Sequence, residues 1–530
     1  MTQGGTAAIA AGALALAVAY AGLHWGALVA GGADSYGYVS QAELWRGGSL
    51  IVRQDVVRPT PWPFAADTWT PLGYRPSPHV RDGYVPLYAP GLPLLMAAAQ
   101  AIGGFCAAFV VVPLCGALTI WLTFALGRRM FDAPGVALGG AVITAASPVF
   151  LYQLMNAMSD VPVTAFWTLA LVLAVSRRTV ASGLAMAVAI AIRPNLAPLA
   201  AVIGIWTWIT TDRAGRRRAL VGFAGGVAPA IIGIAWLNGT LYESPFVSGY
   251  GTTGDLYSLG NFAANVSNYA RWIAEAETPV VALAAIYVAA PGMWMPPRLP
   301  HARALIGATI AVALLSYVFF QPFHVWWFLR YLLPMWPVTM LATCAAIDGL
   351  ARRAGPRMQP IIVTAIIALL ASHHLQFARA HSAFDLGRSE RKYVDVARFV
   401  ADHTEPDAVM LSQQHSGSLR LYAGRLTLRY DVLDSAWLDR SLAALQSSGR
   451  HPYLVLDGDE VEMFRRRFSA SSRAGALDWS PIATLNGIVN IYDPLQREAA
   501  SPLAIASTRG SRGLLGCDAP YSRPPVRRMK

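Results

Sequence analysis

The sequence predicts an α-helical polytopic membrane protein carrying a small C-terminal α/β domain. Three observations lead there. The 530 residues are 55% hydrophobic and only 14% charged, against about a quarter charged in soluble domains. The charges are segregated, leaving uncharged blocks at Gly83–Gly127, Ala133–Ser159, Pro194–Thr211 and Ala304–Phe323. Beyond Phe384 the composition changes to that of a soluble domain.

A bilayer core takes about 20 apolar residues per helix. On that measure spans are expected near 6–30, 106–127, 134–155, 161–176, 180–193, 195–211, 218–237, 278–295, 303–321, 330–349 and 359–376, about eleven in all. The first apolar stretch, Thr6 to Ala30, has no positive region before it and reads as a span, not a cleaved signal peptide. Arginines fix the orientation. Arg128–Arg129, Arg177–Arg178, Arg213 with Arg216–Arg218, Arg298 with Arg303, and Arg352–Arg353 with Arg357 occupy alternate loops, which the positive-inside rule makes cytoplasmic. The intervening loops, Asn156–Asp160, Asn238–Thr278 and Gln321–Trp327, then face outward.

The Pro86–Gly104 segment reads two ways. It is uncharged and long enough to span, which would turn the first loop to the cytoplasm. Arg46, Arg53, Arg58, Arg75 and Arg81 in that loop favour this. Its prolines and Gly91 make a poor continuous helix, which favours an interfacial or re-entrant helix on the outer side.

The net charge of +12 and pI of about 9.7 do not point to nucleic acid, because the membrane-half arginines sit in short loops between spans. The four cysteines make no Cys-x-x-Cys pair, so neither a disulfide framework nor a thiolate metal site is expected. No P-loop, His-Glu-x-x-His or Gly-x-Ser-x-Gly pattern occurs, which argues against an ATP-driven transporter.

Four outward features converge on one face. Ala33-Asp34-Ser35-Tyr36-Gly37-Tyr38 follows the first span. A carboxylate partly withdrawn from water at a span end suits a general base; the alternative is an idle interfacial acid. Asn156-Ala157-Met158-Ser159-Asp160-Val161-Pro162 is a short turn with a second carboxylate, which also reads as a helix N-cap followed by proline. Arg193-Pro194-Asn195 lies between apolar segments. A mid-membrane arginine costs roughly 2.5–3.5 kcal/mol, so it reads as functional unless it snorkels to the interface. His324 to Pro334 combines aromatics of an interfacial belt with Arg330, whose planar fork grips phosphate. Two acids and two arginines at span ends form a set suited to chemistry on a phosphate-bearing lipid.

Five segments in order resemble the GT-C superfamily of membrane glycosyltransferases, in particular bacterial relatives of protein O-mannosyltransferases and of the lipid A aminoarabinose transferase. They are Asp34-Ser-Tyr-Gly-Tyr38, Tyr88-Ala-Pro90-Gly91-Leu-Pro93, Ser159-Asp160-Val-Pro162, Ala191-Ile-Arg193-Pro194-Asn195 and Arg330-Tyr331-Leu-Leu-Pro334. The resemblance covers about residues 6–350, and Ser244 to Tyr250 also looks like an outer loop of these relatives. It implies a GT-C fold in the cytoplasmic membrane, with the Tyr88 segment at the outer surface and Asp34 and Asp160 on one side. It implies an inverting transfer of sugar from a polyprenyl-phosphate carrier to a glycan, lipid or protein hydroxyl at the outer face. Asp34 is then the base, and Asp160 orients the acceptor or supports the site. Arg193 and Arg330 are candidates for the carrier phosphate. Tyr36, Tyr38, Tyr88, Asn156, Tyr250, His324 and Tyr331 are the remaining candidate substrate contacts. Some GT-C enzymes need a divalent cation, although no metal site is legible here. The aminoarabinose-transferase pattern has Lys-Pro-Pro where Tyr88-Ala-Pro stands, so that donor does not follow.

Two other classes fit the same outline: a transporter or lipid flippase, and a polysaccharide polymerase or ligase using a diphosphate carrier. The division expected is a membrane domain over 1–383, an extracytoplasmic α/β domain over 384–498 and a disordered basic tail over 499–530. In the α/β domain, Tyr393–His403, Leu438–Leu445 and Glu460–Phe468 read as helices, and Ala408–Leu411 and Tyr453–Leu456 as strands. This domain reads as an acceptor-binding module or a structural cap. Gln413-Gln-His415-Ser416, after its first strand, is where α/β folds often place ligand contacts.

Overall fold

The structure is a computed structural model that describes residues 3–294, 297–497, 503–505 and 517–521. The membrane half is helical. Five helices are long and apolar enough to cross a bilayer: Gly4–Trp25, Phe105–Met130, Arg213–Leu241, Trp326–Ala354 and Met358–Ala380. Counting two bent helix pairs as one span each raises this to seven among the described residues.

The structure departs from the outline of about eleven spans in three respects. The expected 134–155 span bends by 59° between Ala146 and Pro148. Ser147 accepts a hydrogen bond from Phe150 N and caps a new helix that opens on Pro148, and the residue before a proline resists helical geometry. The expected 278–295 span is a short helix, Leu283–Ala289, joined to the preceding helices through a 115° bend. Segments 161–176, 180–193, 195–211 and 303–321 form helices of 13–17 residues. At 1.5 Å per residue these reach roughly 20–26 Å, short of a hydrocarbon core of about 30 Å. The 238–278 stretch, expected as a loop, contains the helix Phe262–Trp272.

After the first helix come Asp34–Gly47 and a small antiparallel sheet. In that sheet Gly83–Pro86 lies between Val52–Arg53 and Tyr74–Pro76. Pro86–Gly104 contains a helix of only 13 residues, Gly91–Gly103. Roughly 20 Å of helix does not cross a bilayer, so the reading without a crossing fits the structure.

The C-terminal sheet runs in the order 426–428, 409–411, 452–457, 489–492, 483–485, 503–505. The expected helices appear as Lys392–His403, Leu438–Ser447 and Gly458–Phe468. The expected strands appear as Val409–Leu411 and Pro452–Asp457. Sequence reading missed the parallel strand Leu426–Leu428 and the hairpin Ala483–Leu485 with Val489–Tyr492. Each is three or four residues long, too short to display alternation. The core of this sheet is not self-contained: Val57, Trp62 and Trp69 of the first loop pack with Leu411, Phe464 and Phe468.

The expectation about the cysteines is overturned, and the described parts of the tail make defined contacts. Cys106 and Cys517 form a disulfide across 411 residues of sequence. Cysteine spacing cannot reveal a pair this distant. Within the tail expected to be disordered, Leu503–Ile505 form a strand paired with Ala483–Leu485. Asp518 pairs with Arg398 and Arg391, and Tyr521 N donates to Leu421 O at 2.8 Å. The rest of 499–530 lies outside the described residues. Denatured protein with its disulfide intact is expected to expose two reactive thiols, Cys115 and Cys344, and four after reduction. Mass-resolved maleimide labelling counts them. Losing the bridge through Cys517→Ser is expected to cost about 2–5 kcal/mol, read as a lower melting temperature.

Candidate functional site

A cavity of about 500 Å³ opens where the first loop, the Asn156–Asp160 turn, the Arg193 turn and the Trp326–Met335 segment meet. Asp34 starts its helix, where the partial positive charge of the helix end favours a carboxylate. Its two oxygens have separate partners. Tyr88 Oη donates to Oδ1 at 2.6 Å, and Arg330 Nη1 donates to Oδ2 at 3.1 Å. Gly37, one turn along, makes the first contact feasible. A Cβ there would lie 2.2 Å from the Tyr88 ring, so the glycine of Asp-Ser-Tyr-Gly-Tyr admits Tyr88 to Asp34. Burial and then the Asp34 charge hold the Tyr88 phenol well above its ordinary range, so it remains a donor.

The second acid is arranged differently. Asp160 is fully buried, and its Oδ1 accepts from Arg193 Nη2 at 2.6 Å. The same Nη2 donates to Ser159 Oγ at 3.1 Å, which also accepts from Tyr38 Oη at 3.1 Å. Arg193 Nη1 and Asp160 Oδ2 have no hydrogen-bond partner. Aromatic faces flank both guanidiniums. Tyr331 lies 5.6 Å from Arg193 and 5.3 Å from Arg330, within cation–π range.

Among the described residues lining the cavity, Asp34, Asp160, Arg193 and Arg330 are the charged ones, and their charges sum to zero. Asn195 holds the Arg193 turn, donating to Tyr257 Oη at 3.3 Å and accepting from Tyr317 Oη at 3.2 Å. Its apolar side is built from Ile234, Leu237, Leu256, Phe320, Phe323 and Phe328.

Of the expected residues, Asp34, Tyr38, Tyr88, Asp160, Arg193, Tyr250, Arg330 and Tyr331 line this cavity. Tyr36, Asn156 and His324 do not. Tyr36 is buried on the opposite face of its helix beside Tyr74. Asn156 donates to the carbonyl of Tyr152, and His324 is exposed. Sequence reading missed Ser159, Asn195, Tyr257 and Tyr317 as site residues. The first two lie inside the quoted motifs and had a signal. The two tyrosines come from distant segments that nothing local marks.

The residues present do not fit a divalent cation. Each carboxylate of the cavity is already engaged by an arginine. Among the described residues no group of three or more His, Cys, Asp or Glu comes together.

No protein-family model and no curated protein sequence matches the chain. Solved structures do. ArnT from Cupriavidus metallidurans bound to undecaprenyl phosphate is similar over 90% of this chain and 96% of its own, with a TM-score of 0.56 and 14% identity. The Archaeoglobus fulgidus oligosaccharyltransferase, tethered to an acceptor peptide, is similar over 88% of this chain and 72% of its own, with a TM-score of 0.55 and 13% identity. The chain therefore shares its fold with these two structures. Identity this low extends to the fold alone.

Proposed function

We propose that the protein transfers a sugar from a polyprenyl monophosphate carrier to an acceptor hydroxyl at the outer face of the cytoplasmic membrane. The observation that carries this reading is the pairing of two acids with two arginines around one cavity that has an apolar side. The neighbours point the same way: ArnT is described bound to undecaprenyl phosphate, and the archaeal enzyme AglB in complex with dolichol-phosphate.

Asp34 is the general base. Before the donor arrives, Arg330 occupies Asp34 Oδ2. The carrier phosphate competes for that guanidinium, and its departure frees Oδ2 for the acceptor hydroxyl. Asp34 takes the hydroxyl proton as the acceptor oxygen bonds to the anomeric carbon. The bond from that carbon to the phosphate oxygen breaks, and its electron pair leaves on the phosphate. One displacement inverts the carbon. Arg330 and Arg193 meet the charge that grows on the departing phosphate, with Arg193 Nη1 free to donate. Asp160, paired with Arg193 through Oδ1, holds that arginine in place.

The outward face is supported by the disulfide. Such bonds persist in oxidising compartments, and Cys106–Cys517 ties the start of the Phe105–Met130 span to the tail. Arg128 and Arg129 lie at the opposite end of that span, where the positive-inside rule places the cytoplasm. Asp34 lies close in sequence to Ala30, which hydrogen-bonds the C-terminal domain through Tyr422.

Charge selects the carrier. A sugar on a monophosphate brings one negative charge and releases a phosphate with about two. A diphosphate brings one more at each stage, and the cavity has no third cation to meet it. Purified protein given matched radiolabelled mono- and diphosphate carriers is expected to turn over the monophosphate at least about tenfold faster, the difference that 1.4 kcal/mol makes. Equal turnover, or preference for the diphosphate, contradicts the reading.

A further inference from the structure

We propose that the C-terminal domain positions the Asp34 turn, with Tyr393 and Tyr422 as positioning residues that act through Gly31 and Ala30. This rests on the reading of Asp34 as the base. Among the described residues the domain contributes none to the cavity lining, which ends in sequence at Tyr331. Its contacts fall instead on the chain that carries Asp34.

They begin four residues before the carboxylate. Ala30 N donates to Tyr422 Oη at 2.9 Å, a buried hydrogen bond spanning 392 residues. At Gly31 a Cβ would lie 2.1 Å from the Tyr393 ring, so that ring rests directly on the backbone. Past Asp34, Gly417 does the same in reverse: a Cβ on it would lie 2.2 Å from the Tyr36 ring. Ser416 Oγ accepts from Leu72 N at 3.1 Å, fixing the neighbouring loop. The segment 30–36 is therefore gripped before and after Asp34 by the Gln413–Tyr422 turn and helix and by Tyr393. This accounts for Tyr36, an expected substrate contact that lies away from the cavity.

The gripping surface is itself rigidly held. The Tyr393 ring lies 4.6 Å from the His415 ring. His415 Nε2 bonds Asp457 Oδ1 at 2.9 Å, and Lys392 Nζ bonds Asp457 Oδ2 at 2.5 Å. Arg420, on the same helix as Tyr422, reaches Trp69 O at 2.5 Å and Gln54 Oε1 at 3.2 Å in the first loop. None of these residues lines the cavity. The domain is a brace for the turn, and a base must sit within hydrogen-bond reach of the proton it takes.

The test uses full-length protein in detergent or nanodiscs with a polyprenyl-phosphate sugar donor. Gly31→Ala presses a methyl against Tyr393 and is expected to lower kcat by about 10- to 100-fold, the cost of a ~1 Å misplacement, with donor KM unchanged. Adding Tyr393→Leu makes room and is expected to restore most of the rate. Tyr422→Phe, which removes only the bond to Ala30 and keeps the ring, is expected to lower kcat about two- to tenfold and serves if Gly31→Ala fails to fold. Hydrogen exchange of peptide 30–40 is read on the same samples and does not depend on turnover. Faster exchange confined to that peptide in Gly31→Ala or Tyr422→Phe, slowed again by Tyr393→Leu, supports the brace even if no sugar is transferred, in which case the glycosyltransferase reading fails alone. Unchanged kcat and unchanged exchange in an active protein overturn the brace and leave the reading standing. A uniform loss of thermal stability with donor KM and kcat falling together, and no rescue, also overturns it.

Discussion

Asp34→Asn is expected to lower sugar transfer by about 10²–10⁴-fold, the range in which a positioned general base contributes, while the protein stays folded and still binds carrier. Asparagine keeps the shape of the side chain and can still accept from Tyr88 on its carbonyl oxygen. It cannot take a proton from an acceptor hydroxyl. It also releases Arg330 from its partner, which leaves that guanidinium more available to the carrier phosphate. Binding of undecaprenyl phosphate is therefore expected to be equal or tighter in the variant. Stability should change little. The Asp34 side chain is 32% exposed and its pair with Arg330 is correspondingly screened by water. Melting temperature, carrier binding and initial rate on the same preparation separate these effects.

Asp160→Asn is expected to behave in the opposite way, with its largest effect on stability. Asp160 is fully buried and the Arg193 side chain is 11% exposed. Removing one member of a buried ion pair strands the other charge and costs about 3–5 kcal/mol. The variant should melt well below the wild type. Neutralising both partners, Asp160→Asn with Arg193→Gln, should recover much of that loss, because no uncompensated charge is left. Transfer should not recover with it, since Arg193 Nη1 is lost as a donor to the departing phosphate. Thermal unfolding of the two variants beside the wild type reads the first effect, and the transfer rate reads the second. If Asp160→Asn melts like the wild type, the buried pair is not the support described for Arg193.

The contrast between these acids was only partly legible in the sequence. Asp34 and Asp160 both stood out as lone carboxylates at span ends, and the motifs around them pointed to one site. Which acid is buried and which is half-open depends on packing around Arg193 and Arg330, well over a hundred residues apart in sequence. Local patterns do not encode that. Tyr88 illustrates a favourable case, because Gly37 leaves room for it and both lie inside recognised motifs. Tyr36 illustrates the reverse. Two residues from Asp34, it looked like a substrate contact, yet helical geometry turns it toward Gly417 and the C-terminal domain.

The fold shows the same division. Apolar blocks marked the membrane half well, because the bilayer demands length and composition. Span limits were less legible because apolar composition persists through bends, and the breaks at Ser147 and Thr278 depend on capping and backbone geometry. In the C-terminal domain the amphipathic helices were readable. The three-residue strands and the Cys106–Cys517 bridge were not, since each is defined by a partner far away in the chain.

The most direct measurement follows a radiolabelled sugar on a polyprenyl monophosphate carrier incubated with reconstituted wild-type protein, Asp34→Asn protein and the acceptors of the native membrane. The expected result is label passing covalently to acceptor in the wild type, with release of carrier phosphate and inversion at the anomeric carbon, and label remaining on the carrier in Asp34→Asn. Undiminished transfer by Asp34→Asn, or label that crosses the bilayer still joined to its carrier, would contradict the assignment of this cavity to sugar transfer with Asp34 as its base.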